Sequence, residues 1–530
     1  MNNLKQNNSI VYLTGAGPGD PGLLTLKAKE IISISDVIVY DNLISKEILD
    51  FAFFINPKVN FIYAGKTGGE KEKSYKQADI NNLLLNLSKE YKVICRLKGG
   101  DPNVFGRGAE EAIFLKENNI SFEFIPGISS ITAVLAYSGI PLTHRDCTSS
   151  FTVITAHEDP NHPESTIKWD NFDAINNTLV LLMGIKNLSN ILEKLISLGR
   201  SPNTPLAIIY SGTTSKQTTI KATIGSILKD LDKYTIKTPS IIVIGDVVNY
   251  RDLLNWYEEK ALFGKKILIT RAQEQSYSFA SKLIKQGAQP IYCPIVSYEI
   301  TEKETYNKSI INNLSAFNWI FFTSQNAVKF FFEILNKNYY DSRALSKIQI
   351  AAVGYKTKCE LERYNIKADF IPKRFSFNDL INELSEITDL NSQKILFPTQ
   401  VETCQGMSQQ QATSLPGVIT WPIYKANFIN DLSEQTINQI QDGVDVLTLF
   451  SSNTAVHFSN LIKKHNLENH LTNTLIATIG EETSKTAKDL FGKVDIVAEP
   501  FTEDGLVDSM EKYFITVGAG RDQHLQRVHI

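Results

Sequence analysis

Short apolar runs alternate with amphipathic stretches through the first 130 residues of this chain. The apolar runs predict strands at 10–13, 37–40, 61–64, 93–95 and 122–125. The stretches between them carry apolar residues at helical spacing and predict helices at 23–34, 78–87 and 109–118. Strands that alternate with helices in this way form a parallel sheet covered by helices. Further apolar runs at 151–155, 178–183, 206–210 and 241–244 predict a second α/β lobe.

An internal repeat organises the C-terminal half. The segment 319–328 (WIFFTSQNAV) resembles 446–456 (VLTLFSSNTAV), and 352–357 (AVGYKT) resembles 478–483 (TIGEET). Each copy predicts a strand ending in hydroxyl side chains, a helix, a strand ending in glycine, and a second helix. Two similar α/β lobes are therefore expected after the short charged break near 257–260. The polar, aperiodic stretch 516–530 is expected to lack regular structure.

Composition excludes several classes of protein. The 530 residues carry a formal net charge of -3, which argues against a general nucleic-acid binder. The five cysteines are far apart and form no CxxC pair, so neither a disulfide framework nor a cysteine-based metal site is expected. No apolar run reaches the roughly 20 residues of a membrane span. The polar N-terminal residues lack the apolar core of a signal peptide, so we expect a cytoplasmic protein.

Two glycine-rich loops follow predicted strands of the first lobe. The loop 14–22 (TGAGPGDPG) is neither a dinucleotide-binding fingerprint nor a Walker loop. Its glycines beside Asp20 suit a ligand without phosphates, such as an adenosyl cofactor with a cationic sulfonium, although an ordinary tight turn has the same composition. The loop 96–108 (RLKGGDPNVFGRG) adds three cations that suit a polycarboxylate, or that form a solvated basic loop. Both loops are expected to meet at the carboxyl edge of the sheet.

Two charged residues stand at strand ends near the same edge. Asp41 follows the predicted strand 37–40, and Lys66 follows 61–64. A carboxylate and an ammonium beside a crevice are candidates for proton transfer. Either residue could instead be a surface cap or a salt-bridge partner.

Seven ordered motifs make residues 9–257 resemble uroporphyrinogen-III C-methyltransferase, with lobes at about 9–145 and 146–257. The motifs are GAGPGDPGLLTLK, SDVIVYDNLI, GK, RLKGGDPNVFGRGAEE, PGI, YSGIPLTHR and LLMG. The resemblance implies a two-lobed tetrapyrrole methylase fold, a homodimer formed through this half, and S-adenosylmethionine as methyl donor. It implies that Asp41 accepts a proton and Lys66 donates one. The implied cofactor contacts are Pro18, Gly99, Gly100, Asp101, Val104, Ser129, Ser130, Met183 and Gly212. The substrate carries eight carboxylates, for which Arg96, Arg107 and Arg145 are the implied ligands.

Residues 262–515 resemble uroporphyrinogen-III synthase, whose fold has one α/β lobe inserted in another. The matching pieces are LITR, FTSQNAV, AVGYKT, ILFP, PIY, FSSNTAV, TIGEET and EPFTEDGLV. We expect the first lobe at about 262–297 and 423–515, and the inserted lobe at about 298–422. The resemblance implies that Tyr424 assists loss of the substrate hydroxyl, without a metal or cofactor. It implies that Thr357, Ser452 and Thr483 bind substrate carboxylates, although hydroxyl residues at these positions also cap helices.

Together the two resemblances imply a bifunctional enzyme with small tetrapyrrole substrates and no nucleic-acid or membrane partner. The C-terminal half would cyclise hydroxymethylbilane to uroporphyrinogen III with inversion of the last ring. The N-terminal half would methylate that product twice, giving precorrin-2 for sirohaem or cobalamin. The alternative is an S-adenosylmethionine-dependent methyltransferase that carries a non-catalytic C-terminal binding module.

Overall fold

Four five-stranded sheets form the framework of the part of the protein that the structure describes. The structure, a computed structural model, describes residues 9–65, 76–160, 167, 169, 177–230, 236–301, 304–374, 377–401 and 417–526. The chain divides into two units. Unit 1 comprises 1–269, 274–293 and 434–530, and unit 2 comprises 270–273 and 294–433. Unit 1 contains three of the sheets and unit 2 the fourth.

The first sheet of unit 1 is parallel, as the alternating pattern predicts. Its strands are β1 (Ile10–Gly15), β2 (Val37–Tyr40), β3 (Asn60–Tyr63), β4 (Val93–Lys98) and β5 (Ser121–Ile125). The associated helices are α1 (Leu26–Ile34), α2 (Lys46–Ile55), α3 (Gln77–Glu90), α4 (Gly108–Glu117) and α5 (Ser130–Tyr137). The spatial order β3-β2-β4-β1-β5 places β4 between β1 and β2. The loops that follow these three strands therefore emerge side by side at one edge.

Local sequence explains where α1 and α2 begin. The Thr25 hydroxyl accepts a hydrogen bond from the Ala28 amide (3.1 Å), and the Ser45 hydroxyl accepts one from the Ile48 amide (3.2 Å). Both are N-caps that pair otherwise unsatisfied amides of the first turn. The helix α2 has a strong apolar face, yet it is absent from the helices that the sequence analysis predicts.

The second sheet of unit 1 is mixed. Its strands are β6 (Phe151–Thr155), β7 (Thr178–Leu182), β8 (Pro205–Tyr210), β9 (Thr218–Thr223) and β10 (Ser240–Ile244). Its helices are α6 (Leu188–Ser197), α7 (Ile224–Asp230) and α8 (Arg251–Leu254). The strand β10 runs antiparallel to both of its neighbours, β7 and β8. The edge strand β9 is half-exposed and polar, which explains why its hydrophobic pattern is too weak to predict it.

The third sheet of unit 1 is parallel, in the order β12-β11-β18-β19-β20. Its strands are β11 (Lys266–Ile269), β12 (Gln289–Tyr292), β18 (Val446–Leu449), β19 (Leu475–Thr478) and β20 (Ile496–Val497). Its helices are α9 (Gln273–Lys285), α14 (Glu434–Gln441), α15 (Ser452–Lys464), α16 (Glu481–Phe491) and α17 (Glu503–Gln526).

The C-terminal helix differs from the sequence-based expectation. The structure continues α17 to Gln526, whereas 516–530 was expected to lack regular structure. Leu506, Val507 and Met510 anchor the start of this helix in the core, and no proline interrupts the residues that follow. An anchored helix can propagate through a polar stretch because each added residue contributes a further backbone hydrogen bond.

Unit 2 contains the fourth sheet, in the order β13-β17-β16-β14-β15. Its strands are β13 (Val296–Ile300), β14 (Trp319–Phe322), β15 (Gln349–Ala352), β16 (Ile395–Gln400) and β17 (Val418–Phe428). Its helices are α10 (Glu304–Asn312), α11 (Gln325–Lys337), α12 (Tyr355–Arg363) and α13 (Phe377–Ser385). The expected lobe limits, 298 and 422, fall within β13 and β17. These strands pair antiparallel along their length, which keeps both of them whole in unit 2.

Short 3-10 helices connect several of these elements, at Pro21–Leu23, Ile185–Asn187, Asp246–Tyr250, Leu314–Ala316, Ser342–Leu345, Leu390–Ser392 and Glu468–Leu471. Within the described part of the chain, no helix is long and apolar enough to cross a membrane.

Candidate active sites

Three glycine-containing loops meet at the carboxyl edge of the first sheet. Gly17 and Gly100 form an antiparallel bridge, with the Gly100 amide donating to the Gly17 carbonyl at 2.8 Å. A Cβ added to Gly127 would lie 2.2 Å from the Gly100 carbonyl oxygen and 2.7 Å from the Gly15 Cα. No side chain can occupy that space, so three backbones are in direct contact. The predicted meeting of the two glycine-rich loops is confirmed, and the PGI segment joins them.

Side chains from distant parts of unit 1 fix the first loop. The Tyr137 hydroxyl donates to the Asp20 carboxylate (2.7 Å), and the Asp20 amide donates to the Thr213 hydroxyl (3.3 Å). The Ser45 hydroxyl donates to the Gly19 carbonyl at 2.7 Å. Burial, and then the charge of Asp20, raise the pKa of Tyr137, so its phenol remains a donor. Asp20 therefore orients the loop. Sequence reasoning missed its contacts with Tyr137 and Thr213 because these residues are more than 100 positions away in the chain.

The second lobe has left-handed backbone at or beside two of the predicted cofactor contacts. Met183, Ser211 and Thr213 have φ values of 59°, 50° and 65°. Non-glycine residues rarely adopt this conformation, and it is concentrated at functional sites. Gly212 approaches Val134 so closely that an added Cβ would lie 2.4 Å from a side-chain methyl. Two of the predicted cofactor contacts, Met183 and Gly212, therefore lie in unusual backbone rather than in ordinary turns.

The remaining predicted cofactor contacts lie on the loops 14–22 and 96–108 and at the start of α5. Gly99, Gly100, Ser129 and Ser130 are half-buried, as is Pro18 on the first loop. Val104 is exposed, and so is Met183. The Asp101 carboxylate accepts hydrogen bonds from the Gly127 amide (3.0 Å) and the Asn103 amide (2.8 Å). Asp101 thus ties the loop 96–108 to the PGI segment.

Asp41 is paired with Arg96 rather than being a free surface cap. Arg96 donates through Nη2 to Asp41 Oδ2 at 2.9 Å, and the Leu43 amide donates to Asp41 Oδ1 at 3.0 Å. The guanidinium also donates to the Leu97 carbonyl. The Arg96 side chain is only 3% exposed. Arg96 was predicted to bind substrate carboxylates, yet the structure places it beneath Asp41. Lys66 lies outside the described residues.

The other predicted substrate ligands are open to solvent. Arg107 has left-handed backbone. Its Nε donates to Glu110 Oε1 at 2.8 Å, and its Nη2 donates to Glu110 Oε2 at 2.6 Å. Arg145 is exposed. Exposed guanidinium groups are suited to binding carboxylates of a ligand.

The predicted synthase residues in unit 1 stand at helix N-termini. Ser451, rather than Ser452, caps α15 by accepting from the Thr454 amide at 3.2 Å. The Ser452 hydroxyl donates to the Glu482 carbonyl (3.3 Å) and accepts from Thr486 (2.9 Å). Thr483 lies buried in the first turn of α16. The first turn of each helix presents backbone amides, to which an anion can bind.

The predicted synthase residues in unit 2 are Thr357 and Tyr424. The Thr357 hydroxyl donates to the Val353 carbonyl at 3.0 Å and is buried, so its proton is not available to a ligand. Tyr424 is 6% exposed, stacks on Phe330, and lies 3.2 Å from the Ser324 hydroxyl. Burial raises the pKa of Tyr424, although the Ser324 hydrogen bond opposes this, so the phenol can serve as a proton donor. Ser324 also caps α11, and sequence reasoning missed its contact with Tyr424.

Comparisons with known proteins match both halves. The profile of the tetrapyrrole (corrin/porphyrin) methylases matches residues 10–228, and that of uroporphyrinogen-III synthase HemD matches 277–508. The porphyrin biosynthesis protein HemD of Ruminiclostridium josui is 34% identical over 514 residues, covering 97% of this chain and 99% of that protein. The S-adenosyl-L-methionine-dependent uroporphyrinogen III methyltransferase of Methanosarcina barkeri is 46% identical, covering 47% of this chain and 95% of that protein.

A solved structure is similar to the N-terminal half. The uroporphyrin-III C-methyl transferase of Thermus thermophilus, complexed with S-adenyl homocysteine, is 34% identical. The match covers 46% of this chain and 99% of that chain, with a TM-score of 0.39.

The fold, the meeting of the glycine-containing loops and the two profiles define the class of protein as an α/β enzyme of tetrapyrrole synthesis. More particularly, the chain belongs to the porphyrin biosynthesis proteins in which a tetrapyrrole methylase precedes a uroporphyrinogen-III synthase. It is a bifunctional methyltransferase and synthase.

Proposed function

We propose that the C-terminal half converts hydroxymethylbilane into uroporphyrinogen III, and that the N-terminal half methylates this product twice to precorrin-2. S-adenosylmethionine is the proposed methyl donor. The product of one half is the substrate of the other, which gives the fusion a chemical rationale. The observation that carries the proposal is the contact of three backbones at Gly15, Gly100 and Gly127, with Asp20 fixed beside it.

The crevice fits a cationic adenosyl donor better than a nucleotide. The loop 15–22 contains no Lys or Arg, whereas it contains Asp20. Its approach to Gly100 and Thr213 leaves main-chain groups, rather than bulky side chains, around the crevice. We propose that Pro18, the loop 99–101, Val104, Ser129, Ser130, Met183 and Gly212 hold the donor. The donor would supply an electrophilic methyl group.

Asp41 is the proposed proton acceptor of the methylase. When a pyrrole carbon of the substrate gains a methyl group, the macrocycle must lose a proton. The Asp41 side chain is 19% exposed and both of its oxygens are oriented by donors, so it can receive that proton in a fixed direction. Arg107 and Arg145 would bind carboxylates at the rim, and Lys66 stays a prediction.

Tyr424 is the proposed acid of the synthase. Loss of the substrate hydroxyl is easier when a proton is donated to it, and the buried, protonated phenol beside Ser324 can donate one. Ser452 and Thr483 would bind substrate carboxylates through amides of their helix N-termini, and Thr357 through its backbone amide.

Further proposals concern organisation. We propose a cytoplasmic homodimer formed through the methylase half, with the methylase at 9–257 and the synthase at 262–515. Light scattering on the full chain, and on a variant lacking the C-terminal half, measures the oligomeric state. A monomeric full chain would contradict the proposed dimer.

Mass analysis of products from hydroxymethylbilane tests the function. Without S-adenosylmethionine we expect uroporphyrinogen III, and with it a product carrying two further methyl groups. Asp41→Asn should stop the reaction at uroporphyrinogen III, while Tyr424→Phe should slow its formation. If only the isomer without the inverted ring forms, the C-terminal half is a non-catalytic module. If uroporphyrinogen III supplied directly gains no methyl group, the methylase proposal is wrong.

A further inference from the structure

Four charged side chains form a chain that leads from the candidate site into the core of the first lobe. Asp41 pairs with Arg96 at 2.9 Å, and Arg96 Nε lies 3.5 Å from Glu111 Oε1. The same Glu111 oxygen accepts from Lys98 Nζ at 2.8 Å. The side chains of Arg96, Lys98 and Glu111 are 3%, 6% and 0% exposed, whereas that of Asp41 is 19% exposed. Asp41 is thus the end of the chain that faces the crevice.

Arg96 fixes the Asp41 carboxylate because its own position is fixed. Its guanidinium donates to the backbone carbonyls of Leu97 (3.0 Å) and Val39 (3.4 Å) as well as to Asp41. Glu111 lies on its other side and supplies the compensating charge. Since these groups hold Arg96, it cannot turn outward to a substrate without leaving Glu111 and Asp41.

Charge balance alone does not explain how Glu111 is placed. Its Oε1 lies near both cations, but its buried Oε2 accepts no hydrogen bond within the part of the chain that the structure describes. Leaving a buried charged oxygen without a donor costs free energy, and buried ion pairs are often less stabilising than apolar packing. Burial, and then the charge of Arg96, lower the pKa of Lys98. A buried ion cluster with an unsatisfied oxygen, joined through Arg96 to a candidate proton acceptor, points to function.

We propose that Glu111 is a positioning residue for proton acceptance by Asp41, and that it acts through Arg96. This inference rests on the role of Asp41 given under the proposed function. The proton that leaves the methylated macrocycle transfers to Asp41, and its bonding electrons return to the macrocycle. Glu111 balances the charges of Arg96 and Lys98, so that Arg96 stays in place and holds the orientation of the Asp41 carboxylate. The inference also assigns Arg96 to Asp41 rather than to a substrate carboxylate.

Glu111→Gln in the full chain tests the inference. Methyl transfer is measured with uroporphyrinogen III and labelled S-adenosylmethionine. We expect kcat to fall by roughly 10²-fold, the lower end of what a positioned base contributes. The KM for S-adenosylmethionine should not change. Glu111→Gln removes a negative charge, which favours the ionised form of a nearby carboxylate. The acidic limb of the plot of kcat against pH should therefore move to lower pH. A role limited to folding would not move that limb.

Conservative variants keep the test informative if Glu111→Gln folds poorly. Glu111→Asp retains the charge and should restore the acidic limb together with part of kcat. Arg96→Lys retains the charge but loses the forked geometry, so kcat should fall while the limb stays in place. If Glu111→Asp and Arg96→Lys both keep the kcat of the wild type, the inference is wrong.

Two further variants separate this inference from the proposed function. Glu360→Gln is the matched control, because Glu360 is also buried and pairs with an arginine, Arg363 at 2.9 Å, but lies in unit 2. It should leave methyl transfer unchanged. If Asp41→Asn still turns over, the role of Asp41 fails, and this inference fails with it. If Asp41→Asn is inactive while Glu111→Gln keeps the wild-type kcat and pH limb, only this inference is wrong.

Discussion

The hydrogen bond from Tyr137 to Asp20 is a direct way to test how the first loop is held. Tyr137→Phe removes the hydroxyl that donates to the Asp20 carboxylate at 2.7 Å and retains the ring, which packs against Trp256 and Tyr257. A hydrogen bond to a charged group contributes roughly 1.5–3 kcal/mol. The Thr213 contact remains in the variant. We therefore expect the lower end of that range, which corresponds to a roughly tenfold weaker affinity for S-adenosylmethionine.

Calorimetric titration of the full chain with S-adenosylmethionine measures this affinity, and kcat at saturating donor should be close to that of the wild type. Tyr91→Phe is a matched control, because its hydroxyl accepts a hydrogen bond from the Asn60 side-chain amide at 3.3 Å on the exposed surface, away from the first loop in sequence. An unchanged dissociation constant for Tyr137→Phe would refute the claim that this bond orients the loop. A lower kcat with normal affinity would instead place Tyr137 in the chemistry.

Four further substitutions test other contacts of the candidate sites. Tyr424→Phe should lower hydroxymethylbilane turnover by roughly 10²-fold, while the free energy of unfolding of the chain changes by only about 1 kcal/mol. Ser324→Ala should affect turnover less and the free energy of unfolding more, because it also removes a helix cap. Gly127→Ala places a Cβ 2.2 Å from the Gly100 carbonyl, so thermal unfolding should show roughly 1–3 kcal/mol of destabilisation, and normal stability would contradict the packing described. Arg145→Ala should raise the KM for uroporphyrinogen III roughly tenfold without affecting donor affinity, and a parallel loss of donor affinity would argue against a substrate contact.

The parallel-sheet rule explains how much of the site could be predicted. Strands and loops appear in the sequence as local patterns, and loops after parallel strands meet at one edge. That rule alone was sufficient to predict that the loops containing Gly17 and Gly100 meet. Strand order is a different matter, because the hydrophobic pattern does not say which strands are neighbours. Arg96 contacts Asp41 only because β4 lies beside β2. Since the sequence does not show that pairing, it predicted that Arg96 binds a substrate, whereas the side chain is buried.

The repeat in the C-terminal half shows a second limit. Aligning FTSQNAV with FSSNTAV pairs Ser324 with Ser452, but the caps of the two helices are Ser324 and Ser451. The second helix begins one residue earlier relative to the aligned motif, and a one-residue shift changes which hydroxyl meets the first turn. The contact between Ser324 and Tyr424 joins residues 100 positions apart. Such contacts depend on tertiary packing, which local sequence patterns do not encode.

The insertion of unit 2 has a consequence for synthesis on the ribosome. The strand β11 is made before unit 2, but its neighbour β18 begins only at Val446, after unit 2 is complete. At roughly 5–20 residues per second, β11 waits on the order of ten seconds or more with one edge unpaired. An unpaired edge can recruit strands from other chains. We therefore expect the nascent chain to be most prone to aggregation, and most dependent on chaperones, while unit 2 is being translated.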